Sequence, residues 1–332
     1  MVATPAAAER FALGTFEAPD GRVFPGLVRD QRVRDLTDAI TGGVLPCDGP
    51  PALLGLLRVW DDAVPRLAEL AAADDGWRDG AGLRVRAPLT PGQVLQSGAN
   101  YRTHVIDLVV AHRDPDDPRD EEQVRAEAAA FMDRRAAEGE PYLFVGLPSA
   151  VCGPDDDVVL PAYSDQHDWE LELAAVIGRP AFRVSPEQAL DHVAGYTIAN
   201  DITTRDLVFR RDMPDIGTDW LRAKNAPTFL PLGPWLVPAE FVPDPMDLRI
   251  RLTLNGRVMQ DETTKDMIFD VARLVSAASQ TVPLSPGDLV LTGSPAGNGM
   301  HWGRLLRPGD VMESTITGLG VQRNRCVAEE AR

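Results

Sequence analysis

Apolar positions recur along this chain with two different periods. Residues 11–16 and 22–29 flank Asp20-Gly21, a dipeptide suited to a tight turn, and predict a hairpin. Leu53, Leu56, Leu57, Trp60, Val64, Leu67 and Leu70 follow at three- and four-residue spacing and predict a helix over 52–73. Pro65 should bend or split that helix. Reactive side chains are not grouped in this stretch, so residues 1–85 are expected to form a small N-terminal α/β domain. Beyond it, short β-branched runs alternate with Gly/Pro turns, at 157–160, 170–177, 248–255, 288–292 and 311–316. Helices are expected at 186–193, after Ser185, and at 267–278. Many short strands with few helices predict an α+β fold, with residues 86–332 rolled into a mainly antiparallel sheet.

One segment breaks that texture. Residues 113–140 read as an acidic loop followed by a polar helix over 121–138. That is a solvated insertion or a mobile cover over a site, part of a helical lid spanning about 108–140.

Charge narrows the function classes. Of 332 residues, 33 are Lys or Arg and 50 are Asp or Glu, a formal charge of −17. Nucleic-acid binding and docking on an anionic membrane need the opposite sign, so neither partner is expected. No apolar run approaches the roughly 20 residues of a membrane span. The first residues lack a cationic stretch followed by an apolar one, so a cytoplasmic location is expected. Cys47, Cys152 and Cys326 are widely spaced and form neither a disulfide framework nor a zinc knuckle.

The densest chemistry lies in Asp168-Trp169-Glu170-Leu171-Glu172-Leu173. In a strand, Glu170 and Glu172 share one face while Trp169, Leu171 and Leu173 fill the other. Two carboxylates aimed together repel unless a proton or cation lies between them. They are either exposed acids in water or part of a hard-cation site. Gly195–Ala199 predicts a second strand that runs into Asn200-Asp201, so Asp201 could bring a third carboxylate to the sheet end. His104 and Asp107 are i, i+3 neighbours on one helical face, where a carboxylate could orient an imidazole as a general base. Lys224 is one of only two lysines; it is either a solvated charge or a group that binds a substrate carboxylate. Thr292-Gly293-Ser294-Pro295-Ala296-Gly297 ends a strand in a Gly-rich turn that could offer N–H groups to an anion.

In order and spacing these segments resemble the fumarylacetoacetate hydrolase family. The match runs from Gly98-x-Asn100-Tyr101-x-x-His104 through Asp168-x-Glu170-x-Glu172 and Gly195-Tyr196 to Asn200-Asp201 and Arg205-Asp206. It continues with Lys224, Pro231-Leu232-Gly233-Pro234-Trp235, Asn255-Gly256, Gln260, Pro286-Gly287-Asp288 and the 292–297 turn. The resemblance implies a β-roll catalytic domain, paired as a homodimer. It implies Mg²⁺, with Mn²⁺ or Ca²⁺ as alternatives, held by Glu170, Glu172 and Asp201. By the same carry-over, His104 and Asp107 form a lid dyad, Lys224 is catalytic, and Tyr101, Arg205, Thr292 and Gly293 contact substrate. Departures fall where substrate is chosen: Asp107 replaces the more usual Glu, Val208 a Gln, and Asn298 a Val.

The implied activity is hydrolysis of a C–C bond in an acylpyruvate or related diketo acid. A metal-stabilised enolate would leave, and water would be activated by the His-Asp pair. Decarboxylation, isomerisation or hydration of 2-oxo acids could use the same centre. The expected partner is a small anionic 2-oxo or diketo acid.

Overall fold

The computed structural model describes residues 10–111, 113–114 and 117–330. The N-terminal hairpin forms as expected, Ala12–Glu17 against Val23–Arg29, within a five-stranded sheet completed by Arg32–Asp35, Trp77–Asp79 and Arg84–Arg86. The expected 52–73 helix is two helices, Leu53–Leu57 and Trp60–Ala72. The break falls at Arg58-Val59 and not at Pro65. Val59 leaves the helical region, whereas Pro65, in the second turn of the second helix, removes one backbone bond without dividing it. Leu53, Leu56, Leu57 and Leu67 join the same apolar cluster as Leu171, Leu173 and Ile198, so the core is continuous between the two parts of the chain.

A six-stranded sheet carries the chemistry. Its order is Val237–Pro238, Val193–Asn200, Leu171–Ile177, Leu289–Leu291, Val94–Gly98, Tyr142–Gly146. Neighbours are antiparallel except for 289–291 beside 94–98. A five-stranded sheet follows the order Arg257–Thr263, Arg249–Leu254, Val311–Ile316, Val321–Ala328, Val158–Leu160. Its tight hairpin turns on Asn255 (φ 53°) and Gly256 (φ 80°), two left-handed residues in succession as a type I′ turn requires. Both faces of the 171–177 strand are covered, and every residue in it is buried. The exposed-strand reading of Glu172 therefore fails.

Helix limits moved where caps decided them. The 267–278 helix instead spans Val271–Thr281, because Asp270 accepts from the Arg273 N–H at 2.8 Å and sets the start. The 186–193 helix ends at Ala189 and tightens into a 3₁₀ turn, and Ser185 makes no side-chain cap bond. Glu121–Glu138 is helical, opened by a capping box between Asp120 and Gln123. Its buried stripe, Val124, Ala128 and Met132, packs on the His104-bearing helix Arg102–Ala111, so this segment is not wholly solvated. Among the described residues, no helix is long and apolar enough to cross a membrane.

Candidate metal and active site

Strand alternation builds the site on one face of the six-stranded sheet. Glu172 pairs with Ala199, Ala174 with Thr197 and Leu291, and Gln96 with Phe144. Partners in register share a face, so Glu172, Gln96 and Phe144 look the same way. Asp201 joins them one residue beyond its strand, where its N–H donates to the Glu170 carbonyl at 2.8 Å. One oxygen each from Glu170, Glu172 and Asp201 lie within 4.8 Å of one another.

Two cations are built into this cluster. Lys224, at the end of the short helix Trp220–Lys224, is 3% exposed. Its Nζ donates to Asp201 Oδ2 at 2.6 Å, Thr203 Oγ1 at 2.7 Å and Glu170 Oε2 at 2.8 Å. The ammonium also lies over the stacked rings of Phe144 and Trp220. Arg205 donates from Nε to Asp168 Oδ2 at 2.8 Å and from Nη2 to Glu170 Oε1 at 2.7 Å. Lys224 and Arg205 thus hold protein carboxylates in this state.

The resulting electrostatics differ from acid to acid. Burial pushes the Glu170 carboxyl up, but Arg205 and Lys224 outweigh it and hold Glu170 well below the usual range. Glu172 moves well up, through burial and then the neighbouring Asp201. Asp201 rises to about 6, since burial exceeds the pull of Lys224. Burial also raises Asp168, against the pull of Arg205. Four carboxylates, Asp168, Glu172 and Asp201 buried and Glu170 nearly so, face Lys224 and Arg205, a deficit of two positive charges when all four are ionised. An all-oxygen donor set with that deficit fits a hard divalent cation.

The other expected residues divide into two groups. His104 is buried beside this charge cluster; burial pulls its pKa down to about 4, with Glu170 opposing. It is a neutral imidazole at physiological pH, able to accept a proton. Its helix starts on Asp266, which accepts from the Thr103 N–H at 2.8 Å. Asp107 lies one turn on, but its carboxylate accepts from Arg125 Nη1 at 2.8 Å and stands 4.0 Å from His301 Nδ1. No His104–Asp107 hydrogen bond forms among the described residues. Gly293 directs its N–H to Glu172 Oε2 at 2.7 Å, so the Gly-rich turn positions a carboxylate. The Thr292 hydroxyl donates to the Leu173 carbonyl at 3.0 Å, and Tyr101 is fully buried.

Two contributors were given no role from sequence: Gln96, and Asp168, which was noted only as part of its motif. Gln96 donates from Nε2 to Asp201 Oδ1 at 2.6 Å. Asp168 anchors Arg205 and accepts from the Met300 N–H at 3.2 Å, tying the Gly299–Trp302 turn to the site. A polar Gln96 in the otherwise apolar start of the 94–98 strand was the available signal. A cavity of about 180 Å³ opens beside His104, between its helix and residues 296–301. A wider cleft of about 770 Å³ is lined by residues of 160–167 and 299–308; none of the three carboxylates lines either space, and His104 lines only the smaller one.

Residues 93–327 match the model of the fumarylacetoacetate (FAA) hydrolase C-terminal family. The chain is similar to a 2,4-didehydro-3-deoxy-L-rhamnonate hydrolase of Sphingomonas, 45% identical over 189 residues, covering 56% of this chain and 65% of the relative. It is 42% identical over 190 residues to a mitochondrial oxaloacetate tautomerase of Homo sapiens, covering 57% and 59% of the two chains. The matched region therefore spans under two thirds of either relative. The solved fumarylacetoacetate hydrolase from Exiguobacterium antarcticum superimposes with a TM-score of 0.75 at 29% identity, covering 96% of this chain and 100% of that one.

Proposed function

This chain belongs to the fumarylacetoacetate hydrolase family of enzymes, and we propose that it hydrolyses a C–C bond in an acylpyruvate-type diketo acid, using a divalent cation at Glu170, Glu172 and Asp201. The observation that carries this reading is the convergence of three carboxylates, two of them buried, beside a neutral, buried imidazole. Mg²⁺ is the proposed ion, with Mn²⁺ or Ca²⁺ as alternatives. When bound, such a cation supplies Lewis-acid stabilisation of negative charge developing on the substrate. Lys224 and Arg205 keep Glu170 ionised and oriented. His104 takes the proton of a water as that water attacks the distal carbonyl. The 102–111 helix brings His104 to this face, and the 121–138 helix packs on that helix. The sugar-acid hydrolase named above supports the reaction class.

A second reading is keto–enol tautomerisation of an oxaloacetate-like acid, the activity named for the human relative. The engagement of Asp107 by Arg125 favours it, since moving a proton between carbon and oxygen needs one base and no activated water. A Mg²⁺-supplemented screen over acylpyruvates and oxaloacetate separates the two: pyruvate and a carboxylic acid released from an acylpyruvate mark hydrolysis, and oxaloacetate enol absorbance lost with no pyruvate or CO₂ released marks tautomerisation. Under the hydrolytic reading, His104→Gln lowers kcat by about 10²–10⁴. Unchanged kcat in that variant sinks the assignment of His104. The homodimer belongs to the same proposal, and the mass in solution by light scattering checks it.

A further inference from the structure

The cavity beside His104 holds an unspent hydrogen-bond donor. Asn298 is 1% exposed. Its Oδ1 accepts from the His301 N–H at 3.2 Å and caps the 299–302 turn. That bond orients the amide, and Nδ2 is left buried without a hydrogen-bond partner. A buried donor left unpaired is costly, and a native site of this kind is normally completed by something bound. Across the same cavity lies Asp107, held by Arg125. Leu108, Ala296 and Met300 supply apolar wall. Besides the His104 and His301 rings, the cavity thus offers the Asn298 donor, the Asp107 acceptor and an apolar lining, in about 180 Å³. An engineered apolar cavity of about 150 Å³ holds benzene, so this space takes a group of about six heavy atoms.

We propose that this cavity receives the end of the substrate remote from its 2-oxo carboxylate, and that Asn298 and Asp107 select a short, neutral, hydroxyl-bearing group there. A hydroxyl accepts from Asn298 Nδ2 and donates to the Asp107 carboxylate, so it satisfies both. An alkyl tail leaves Nδ2 unpaired. A second carboxylate cannot donate to Asp107 and meets its negative charge. Sites that hydrogen-bond a substrate hydroxyl reject the analogue lacking it far more strongly than apolar pockets reject an extra methylene. The proposal rests on the carboxylate triad and His104 being the 2-oxo-acid centre.

Binding of non-cleavable 2-oxo acids tests it without requiring turnover. Calorimetry on the Mg²⁺-supplemented full chain would compare 5-hydroxy-2-oxohexanoate, 2-oxohexanoate and 2-oxohexanedioate. The expected order of affinity is hydroxyl, then alkyl, then carboxylate, with the first at least about tenfold tighter than the second. Asn298→Asp retains an oxygen that can cap His301 but withdraws the amide donor, and Asn298→Ala withdraws both. In each, the ratio between hydroxylated and plain acid should fall to about twofold or less. Equal affinities in the unaltered protein, tightest binding of the dicarboxylate, or a ratio that survives both substitutions would overturn the proposal alone. Failure of all three acids to bind would overturn it together with the site reading beneath it. The expected order without turnover of any acylpyruvate or oxaloacetate would support the proposal while removing the reaction assigned above.

Discussion

In the sheet built from 249–254, 257–263, 311–316 and 321–328, alternation leaves one wet face. Met312, Ser314 and Ile316 turn inward, as do Gln322, Asn324 and Cys326, while Arg323 and Arg325 meet solvent. In the central strands of the six-stranded sheet the same period of two leaves no wet face: 171–177 and 193–200 are buried throughout, and exposure is confined to the edge strand 142–146. The difference decides what an acid means. Asp261 pairs with Arg249 at 2.6 Å with both side chains open to water. Glu172 and Asp201 are held dry against their own desolvation, which raises both. Exposed pairs of the first kind contribute little, whereas buried ionic groups are costly unless their environment compensates them. Buried acids retained at such cost mark the second sheet as the functional one.

The strongest challenge to that contrast removes a cation from the dry sheet. Arg205→Met leaves Asp168 and Glu170 short of a partner and should cost about 3–5 kcal/mol, read as a lowered urea midpoint. A loss below about 1 kcal/mol would show that these acids neutralise themselves.

Next in size is the cation itself. Mg²⁺ at about 100 times its Kd should stabilise the protein by about 2.7 kcal/mol, and Asp201→Asn should abolish that rise. The pH dependence has a defined sign. Asp201 titrates at about 6 when folded and from an ordinary value of 3.8 otherwise, so the cation-free fold favours its proton. That contribution is present below pH 3.8 and lost as pH rises through about 6. A cation competes with the same proton, so the Mg²⁺-induced shift in Tm should be small at pH 5 and full above pH 7. His104, lowered from 6.5 to about 4, has the opposite slope: stability grows as pH rises across that interval. The difference between melts with and without Mg²⁺ separates the two effects.

A smaller change should follow Gln96→Leu. It frees Asp201 Oδ1 while keeping the strand apolar, and should weaken Mg²⁺ binding by about 10–100-fold in calorimetry. Unaltered affinity would reduce Gln96 to packing. The least effect belongs to the wet sheet, where Arg249→Ala should cost no more than about 1 kcal/mol in the same urea assay.

Much of this molecule was legible before its coordinates. The 12–29 hairpin, the 311–316 strand and the 121–138 helix follow from turn chemistry, alternation and a capping box, all local effects. Glu170 and Glu172 could be placed on one face because a strand has a period of two. Asp201 came from the end of a neighbouring run, and the ordered motifs pointed to the family. Helix limits near 58 and 270 were less legible, because backbone detail at Val59 and the Asp270 cap decided between competing starts.

Residue types, strand periodicity and motif order in the chain determined the acid triad, the sheet that bears it and the imidazole of the 102–111 helix. Tertiary structure alone decided where the charges went: Lys224 and Arg205 onto the acids, Asp107 toward Arg125, and Gln96 onto Asp201 from a segment 105 positions away. Periodicity reports which face a side chain occupies and nothing about which distant strand lies beside it. Partner choice depends on register between segments far apart in the chain, and on a desolvation that exists only once the sheet is covered.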